Sequence, residues 1–255
     1  MKNPRKAASI ICLSTYKGGV GKTASTLNLG AALARLNKNV LLIDLDPSAD
    51  LSFTLGVQAA EENIYEGLKG GNCTPIVVNQ HLDLIPAHPS LSDVDLELGA
   101  KAGRSYLLRE LLTPLRNRYD YILIDTPPSL SLLTLNGLTA ADKLLIPLQA
   151  QYLSLRGVTR LLDVVAKVKK GFNPSLGIAG VFLTQYDARK VMSRTVFEGV
   201  QEGLPTRVFN TKIRDNVALA EAAGHSMDIF RYNPSSYGAA DYAALCEELL
   251  KSEVL

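Results

Sequence analysis

The run Lys17-Gly18-Gly19-Val20-Gly21-Lys22-Thr23 packs two lysines, three glycines and a hydroxyl into one short stretch. Glycines let backbone N–H groups turn together onto an anion. A helix beginning at such a loop adds unpaired N–H groups and a favourable dipole. Lys22 is placed to reach the β- and γ-phosphates of a nucleotide, and the Thr23 hydroxyl to meet Mg²⁺. Two further stretches supply carboxylates. Asp44-Leu45-Asp46-Pro47 carries two at alternate positions, and Ile124-Asp125-Thr126-Pro127-Pro128 carries one after an apolar run. Alternation turns Asp44 and Asp46 to one side. Asp46 is read as the residue that orients an attacking water, Asp44 as a helper near the metal, and Asp125 as the carboxylate that holds Mg²⁺. Thr126-Pro127-Pro128 reads as a switch that senses the γ-phosphate.

These residues need strands and helices to place them. The run 9–14 reads as a buried strand ahead of the loop, and 24–36 as a helix with Leu29, Leu33 and Leu36 on one side. Strands are expected at 39–44, 82–86 (the third), 119–125, 143–148 and 178–183, with a short one near 207–209. The segment 48–71 reads as loop and short helices, and 92–100 as a short helix or a mobile loop. Helices are expected over 105–115, 153–170, 191–202 and 236–251. Strand–helix alternation predicts a single α/β domain over 1–255: a doubly wound, mostly parallel sheet with helices on both faces, of the P-loop NTPase type. In such sheets the C-terminal strand ends face the ligand crevice, where the loop and the acids fall.

Composition narrows the function. The chain has 255 residues, is 47% hydrophobic and 20% charged, and carries a net charge of +2, which fits a globular protein without the footprint of a dedicated nucleic-acid binder. Any polyanion site must be a local patch. Cys12, Cys73 and Cys246 are far apart, so neither a zinc site nor a disulfide framework is expected, and Cys12 reads as a small core residue. His81, His88 and His225 have no metal-ligand spacing. The apolar run after Met1 to Lys6 is too short for a signal peptide or a membrane span, so a cytoplasmic chain with no preceding DNA-binding domain is expected.

With Lys17 directly ahead of the paired glycines, the loop resembles the deviant Walker A of the ParA/MinD ATPases. Nearly the whole chain is similar to the small, Soj-like ParA form. The resemblance also rests on 44–47, 124–128, Leu183-Thr184-Gln185-Tyr186-Asp187-Ala188-Arg189 and Asn233-Pro234-Ser235-Ser236-Tyr237-Gly238-Ala239. It implies slow ATP hydrolysis with Mg²⁺, and an ATP-dependent sandwich homodimer in which Lys17 touches the nucleotide of the other subunit. It implies nucleotide contacts from Lys17, Gly18, Gly19, Val20, Gly21, Lys22, Thr23 and Ala24, and an adenine-edge contact from Asn216. It further implies non-specific double-stranded DNA binding, a stimulating ParB-like partner, a nucleoid location and a plasmid, chromosome or other cargo to segregate or position.

The chain departs from the family at several points. Ser48, Ala49 and Asp50 replace the family's Gln-Gly-Asn, Arg214 stands where a proline packs beside the base, and Ala218 replaces an arginine implicated in DNA binding. Lys167, Lys169 and Lys170 could also compensate, and Arg189, Lys190, Arg194, Lys212 and Arg214 are the candidates for DNA contacts. The segment 241–255 offers acids and only Lys251, which argues against a MinD-like membrane helix and leaves no apparent membrane anchor. A positioning switch acting on a membrane or protein surface without DNA stays open as the alternative.

Overall fold

The computed structural model describes residues 7–58, 60–151 and 154–252. The predicted start of the 153–170 helix at Leu153, and the basic Met1 to Lys6 stretch, lie outside the described residues. The strands are β1 (Ser9–Leu13), β2 (Val40–Asp44), β3 (Ile76–Asn79), β4 (Leu82–Ile85), β5 (Tyr121–Asp125), β6 (Lys143–Gln149), β7 (Gly177–Tyr186) and β8 (Val208–Arg214). The helices are α1 (Lys22–Arg35), α2 (Asp50–Thr54), α3 (Ile64–Lys69), α4 (Val94–Glu97), α5 (Leu107–Leu112), α6 (Leu132–Ala140), α7 (Ser154–Gly171), α8 (Val191–Gly203), α9 (Val217–Gly224), α10 (Ile229–Tyr232) and α11 (Tyr237–Lys251).

The eight strands form one sheet in the order β3-β4-β2-β5-β1-β6-β7-β8. Only the β3–β4 pair is antiparallel. The expected doubly wound, mostly parallel sheet is therefore what the chain forms. The loop-bearing strand β1 lies between β5 and β6, where the winding reverses. Such a reversal opens a crevice at the C-terminal strand ends.

Strand side chains alternate between two cores. Ile10 and Cys12 of β1, with Leu41 and Ile43 of β2, pack with α3, α5, α6, α7 and α8. Ile11 and Leu13, with Val40 and Leu42, pack with α1, α10 and α11 on the other face. Each fully buried leucine or isoleucine here contributes about 1.5–3 kcal/mol. The last helix also meets the first through a buried hydroxyl pair, Ser25 Oγ to Tyr242 Oη at 3.0 Å. At the sheet edge, the Glu248 carboxylate of α11 accepts the N–H groups of Asn210 and Thr211, both at 2.8 Å.

Several local expectations need correction. The third strand is Ile76–Asn79, an edge strand absent from the sequence reading, so 82–86 supplies the fourth. The strand expected near 207–209 continues to Arg214. Leu36 is not on the buried face of α1: it is that helix's C-cap and 49% exposed. Helices α6, α9 and α10 were not anticipated. The α1 helix lies close on the sheet at Gly30, where an added Cβ would come 2.7 Å from Leu42 Cδ2. We expect Gly30→Ala to lower the unfolding free energy by about 1–3 kcal/mol despite alanine's better helix propensity. Urea denaturation measures this, and an unchanged midpoint would rule out the close approach.

Candidate nucleotide site

The glycine loop leaves β1 and enters α1, whose N-cap is Gly21 at φ 82°, a conformation that strains any residue with a Cβ. No side chain caps this helix and its first turn carries no acid, so the N–H groups there are left for an anion. The β7 end braces the loop from behind. The Thr184 hydroxyl donates to the Val20 carbonyl at 2.8 Å, and the Gln185 amide to the Gly19 carbonyl at 2.8 Å. Holding these carbonyls toward β7 leaves the other side of the loop to N–H groups. Gln185 has φ 51°; the left-handed region costs a non-glycine residue about 1–2 kcal/mol.

A cleft of about 770 Å³ opens above the loop, lined among others by Gly18, Gly19, Gly21, Lys22, Thr23, Ala24, Asp46, Arg214 and Asn216. Most of the predicted phosphate-site residues thus converge, and Asn216 joins them from far along the chain. Val20 is buried behind the loop. Lys17 is the exception: it does not line this cleft. Its ammonium turns to the β6 end, donating to Gln149 Oε1 at 2.7 Å and Gln151 Oε1 at 2.5 Å.

The acids divide into two layers. Asp46 lines the cleft, and its Oδ1 accepts the Ser48 N–H at 3.0 Å. Asp44 does not line it; that carboxylate is fully buried. Its Oδ2 accepts both the N–H (2.9 Å) and the hydroxyl (2.7 Å) of Ser52, and its Oδ1 accepts the Asp46 N–H at 3.1 Å. The two acids differ in depth, and Leu45 between them is buried in the cluster that holds Leu41 and Ile43. The strand ends at Asp44, and its carboxylate organises the segment after β2. In that segment Ala49 sits at φ 55°, a left-handed position better suited to glycine.

Asp125 pairs in register with Asp44 on one side and Leu13 on the other, at the ends of adjacent strands. It is fully buried. Thr26 approaches Oδ1 at 3.4 Å, while Oδ2 has no hydrogen-bond partner among the described residues. Burial, then the Asp44 charge, pushes the Asp125 carboxyl up to about 8, with the Thr23 hydroxyl and the Lys22 ammonium holding the rise back. Burial pushes Asp44 up to about 6 against its hydrogen bonds from Ser52. Burial also lowers Lys22, opposed by the charges of Asp125 and Asp46. An orphaned carboxylate oxygen beside a threonine hydroxyl is a hard-oxygen donor set, and it fits Mg²⁺.

Asn216 is the N-cap of α9, its Oδ1 accepting the Ala218 N–H at 2.9 Å. Ala218 itself is buried. The candidate DNA cations have varied surroundings. Arg189 donates to Asp187 through Nε and Nη2, both at 3.0 Å, and Lys190 lies 3.9 Å from the same carboxylate. Arg194 is exposed on α8. Lys212 stands 3.7 Å over the Phe197 ring, and Arg214 is forked onto Asp241 and stacked 4.1 Å over Tyr237. Sequence reasoning missed Ser52, the glutamines and Asp241. Of these only Gln185 fell within a motif it had marked.

A family model described as an AAA domain matches residues 8–178. The chain is 41% identical over 254 residues to the chromosome partitioning protein ParA of Myxococcus xanthus, covering 96% of this chain and 88% of that one. It is 40% identical over 246 residues to the sporulation initiation inhibitor protein Soj of Bacillus subtilis, covering 94% and 97%. It is also similar to the crystal structure of cobyrinic acid a,c-diamide synthase from Mycobacterium smegmatis with bound ADP and magnesium. That match has a TM-score of 0.85 and 32% identity, over 96% of this chain and 94% of that one.

The buried acids make a pH prediction for the metal-free chain. Both carboxyls have folded pKa values above their unfolded ones, so the folded chain holds extra protons between about pH 4 and 8 and loses stability as pH rises through that window. We expect the metal-free Tm to fall from pH 5 to pH 8, and Asp125→Asn to flatten the fall and recover on the order of 2–5 kcal/mol at pH 8. A variant profile parallel to the parent's would exclude Asp125 as the source.

Proposed function

The chain belongs to the ParA family of P-loop ATPases, and on that premise we propose that it is a positioning ATPase whose ATP-bound form is a sandwich dimer that binds DNA without sequence preference. It is an ATPase that uses ATP and Mg²⁺. The observation that carries the reading is the convergence of Lys22, Thr23 and Asp46 on one cleft, directly beside the orphaned Asp125 oxygen.

In this reading the loop N–H groups and the α1 N-terminus bind the phosphates. The buried Lys22 ammonium draws charge from the β- and γ-phosphates. Thr23 and Asp125 hold Mg²⁺, which supplies charge neutralisation at the phosphate oxygens. Asp44, with its oxygens tied to Ser52 and Asp46, keeps the segment carrying Asp46 in place. Asp46 orients the water that attacks the γ-phosphorus. Asn216 offers its side-chain amide to the base edge. Lys17 does not line its own cleft and is held at the β6 end by Gln149, which supports a role on the nucleotide of a second copy. Charge placed there by the partner stabilises the transferred phosphoryl group only once the dimer has closed.

Release of DNA follows hydrolysis stimulated by a ParB-like partner, and repeated cycles on the nucleoid move a plasmid, chromosome or other cargo. The DNA surface is the part with a real competitor. Arg189 and Arg214 are paired with carboxylates and Ala218 is buried, which favours a second reading: a switch on a protein or membrane surface without DNA. No helix among the described residues is long and apolar enough to cross a membrane.

Asp46→Ala, which should trap the ATP dimer, tests both readings. We expect it to bind random duplex DNA with ATP but not ADP, with affinity falling steeply as salt rises. A dimer that forms with ATP yet ignores DNA in every nucleotide state would remove DNA from the cycle. Lys22→Ala is expected to lose nucleotide binding altogether in calorimetry, and unchanged ATP affinity would reject the loop assignment.

A further inference from the structure

Around Lys17 the side chains form a connected circuit. Its ammonium donates to Gln149 Oε1 and Gln151 Oε1. The Gln149 amide donates to Gln185 Oε1, and the Gln185 amide to the Gly19 carbonyl. Gln149 ends β6 and Gln185 stands at the end of the neighbouring β7, so two adjacent strand ends tie the head of Lys17 to the middle of its own loop. An ammonium has three donors. Two are used here, so one is left for an anion. Amide oxygens hold the cation without cancelling its charge. Ordering a free lysine at the moment of association costs rotamer entropy, and a head already held avoids much of that cost.

We propose that Gln149, Gln151 and Gln185 are positioning residues that hold Lys17 in the pose a second, ATP-bound copy of this chain meets. The proposal rests on the reading of Lys17 as a residue that acts across the dimer. It adds that dimer affinity is set partly by two acceptors, Gln149 and Gln151, that do not line the nucleotide cleft. Gln185 also joins the cradle to Gly19, so a shift of the loop on phosphate binding is passed to the Lys17 head through two amide groups.

The test is sedimentation velocity with ATP in the Asp46→Ala background. Gln151→Met keeps the side-chain length and removes the acceptor. We expect it to raise the dimer dissociation constant about tenfold while ADP affinity of the monomer stays unchanged. Gln149→Met should weaken the dimer at least as much. Gln151→Glu restores an acceptor and is expected to dimerise within about threefold of the parent, a rescue that a merely structural role at this position does not predict. Methionine variants that dimerise as tightly as the parent, or more tightly, while Lys17→Ala does not dimerise, would overturn the cradle and leave the trans lysine intact. A Lys17→Ala protein that dimerises normally would overturn the trans reading and the cradle with it.

Discussion

The site depends on a buried carboxylate with one oxygen unpaired among the described residues. Parallel pairing of β2 with β5 brings Asp44 and Asp125 side by side at the strand ends, both fully buried. Burial and mutual repulsion both disfavour two negative charges there. Asp44 is relieved by the N–H and hydroxyl of Ser52. Asp125 is relieved only in part by the Thr23 hydroxyl and the Lys22 ammonium, and its Oδ2 is left without a hydrogen-bond partner among the described residues. Burial pushes Lys22 toward its neutral form and Asp125 toward its protonated form, so neither stabilises the other fully. In the proposed function a divalent cation would supply the charge that a single lysine does not.

The rest of the crevice follows from how the loop is turned. Thr184 and Gln185 hold loop carbonyls on one side, and the uncapped α1 N-terminus offers donors on the other. Gln185 is strained to do this, and Ala49 is strained in the segment that carries Asp46. Strain at both edges of one cleft is a familiar mark of places where a ligand changes the balance between conformations. Asp44 connects the second of these edges to the core: its hydrogen bonds reach Asp46 on one side and Ser52 on the other, and Ser52 in turn accepts the Ala87 N–H at 2.9 Å.

Contiguous signals were legible in the sequence. The loop, the apolar run into Asp125 and the strand–helix alternation each lie within a few neighbouring residues, so composition and period reveal them. The β3 edge strand escaped because Ile76-Val77-Val78-Asn79 is short and half-exposed, with neither clean alternation nor a buried run. The α6 helix escaped because it is buried nearly all round, which leaves no polar face for a helical period to mark. Partnerships made only by folding were out of reach. Ser52 on Asp44, Asp241 on Arg214 and Gln149 on Lys17 join residues whose spacing carries no pattern.

The contact between α1 and α11 has a consequence for how the protein is made. Ser25 and Tyr242 are 217 positions apart, and Leu245 and Leu249 share the α1 core. On the ribosome, the loop and its helix emerge well before their covering helix, which follows every strand of the sheet. Until then the side of α1 that α11 covers has no lid and chaperones have a surface to hold. A chain that ends before α11 therefore bears all its phosphate-loop residues on an unfinished support, and proteases meet it with one side of α1 uncovered.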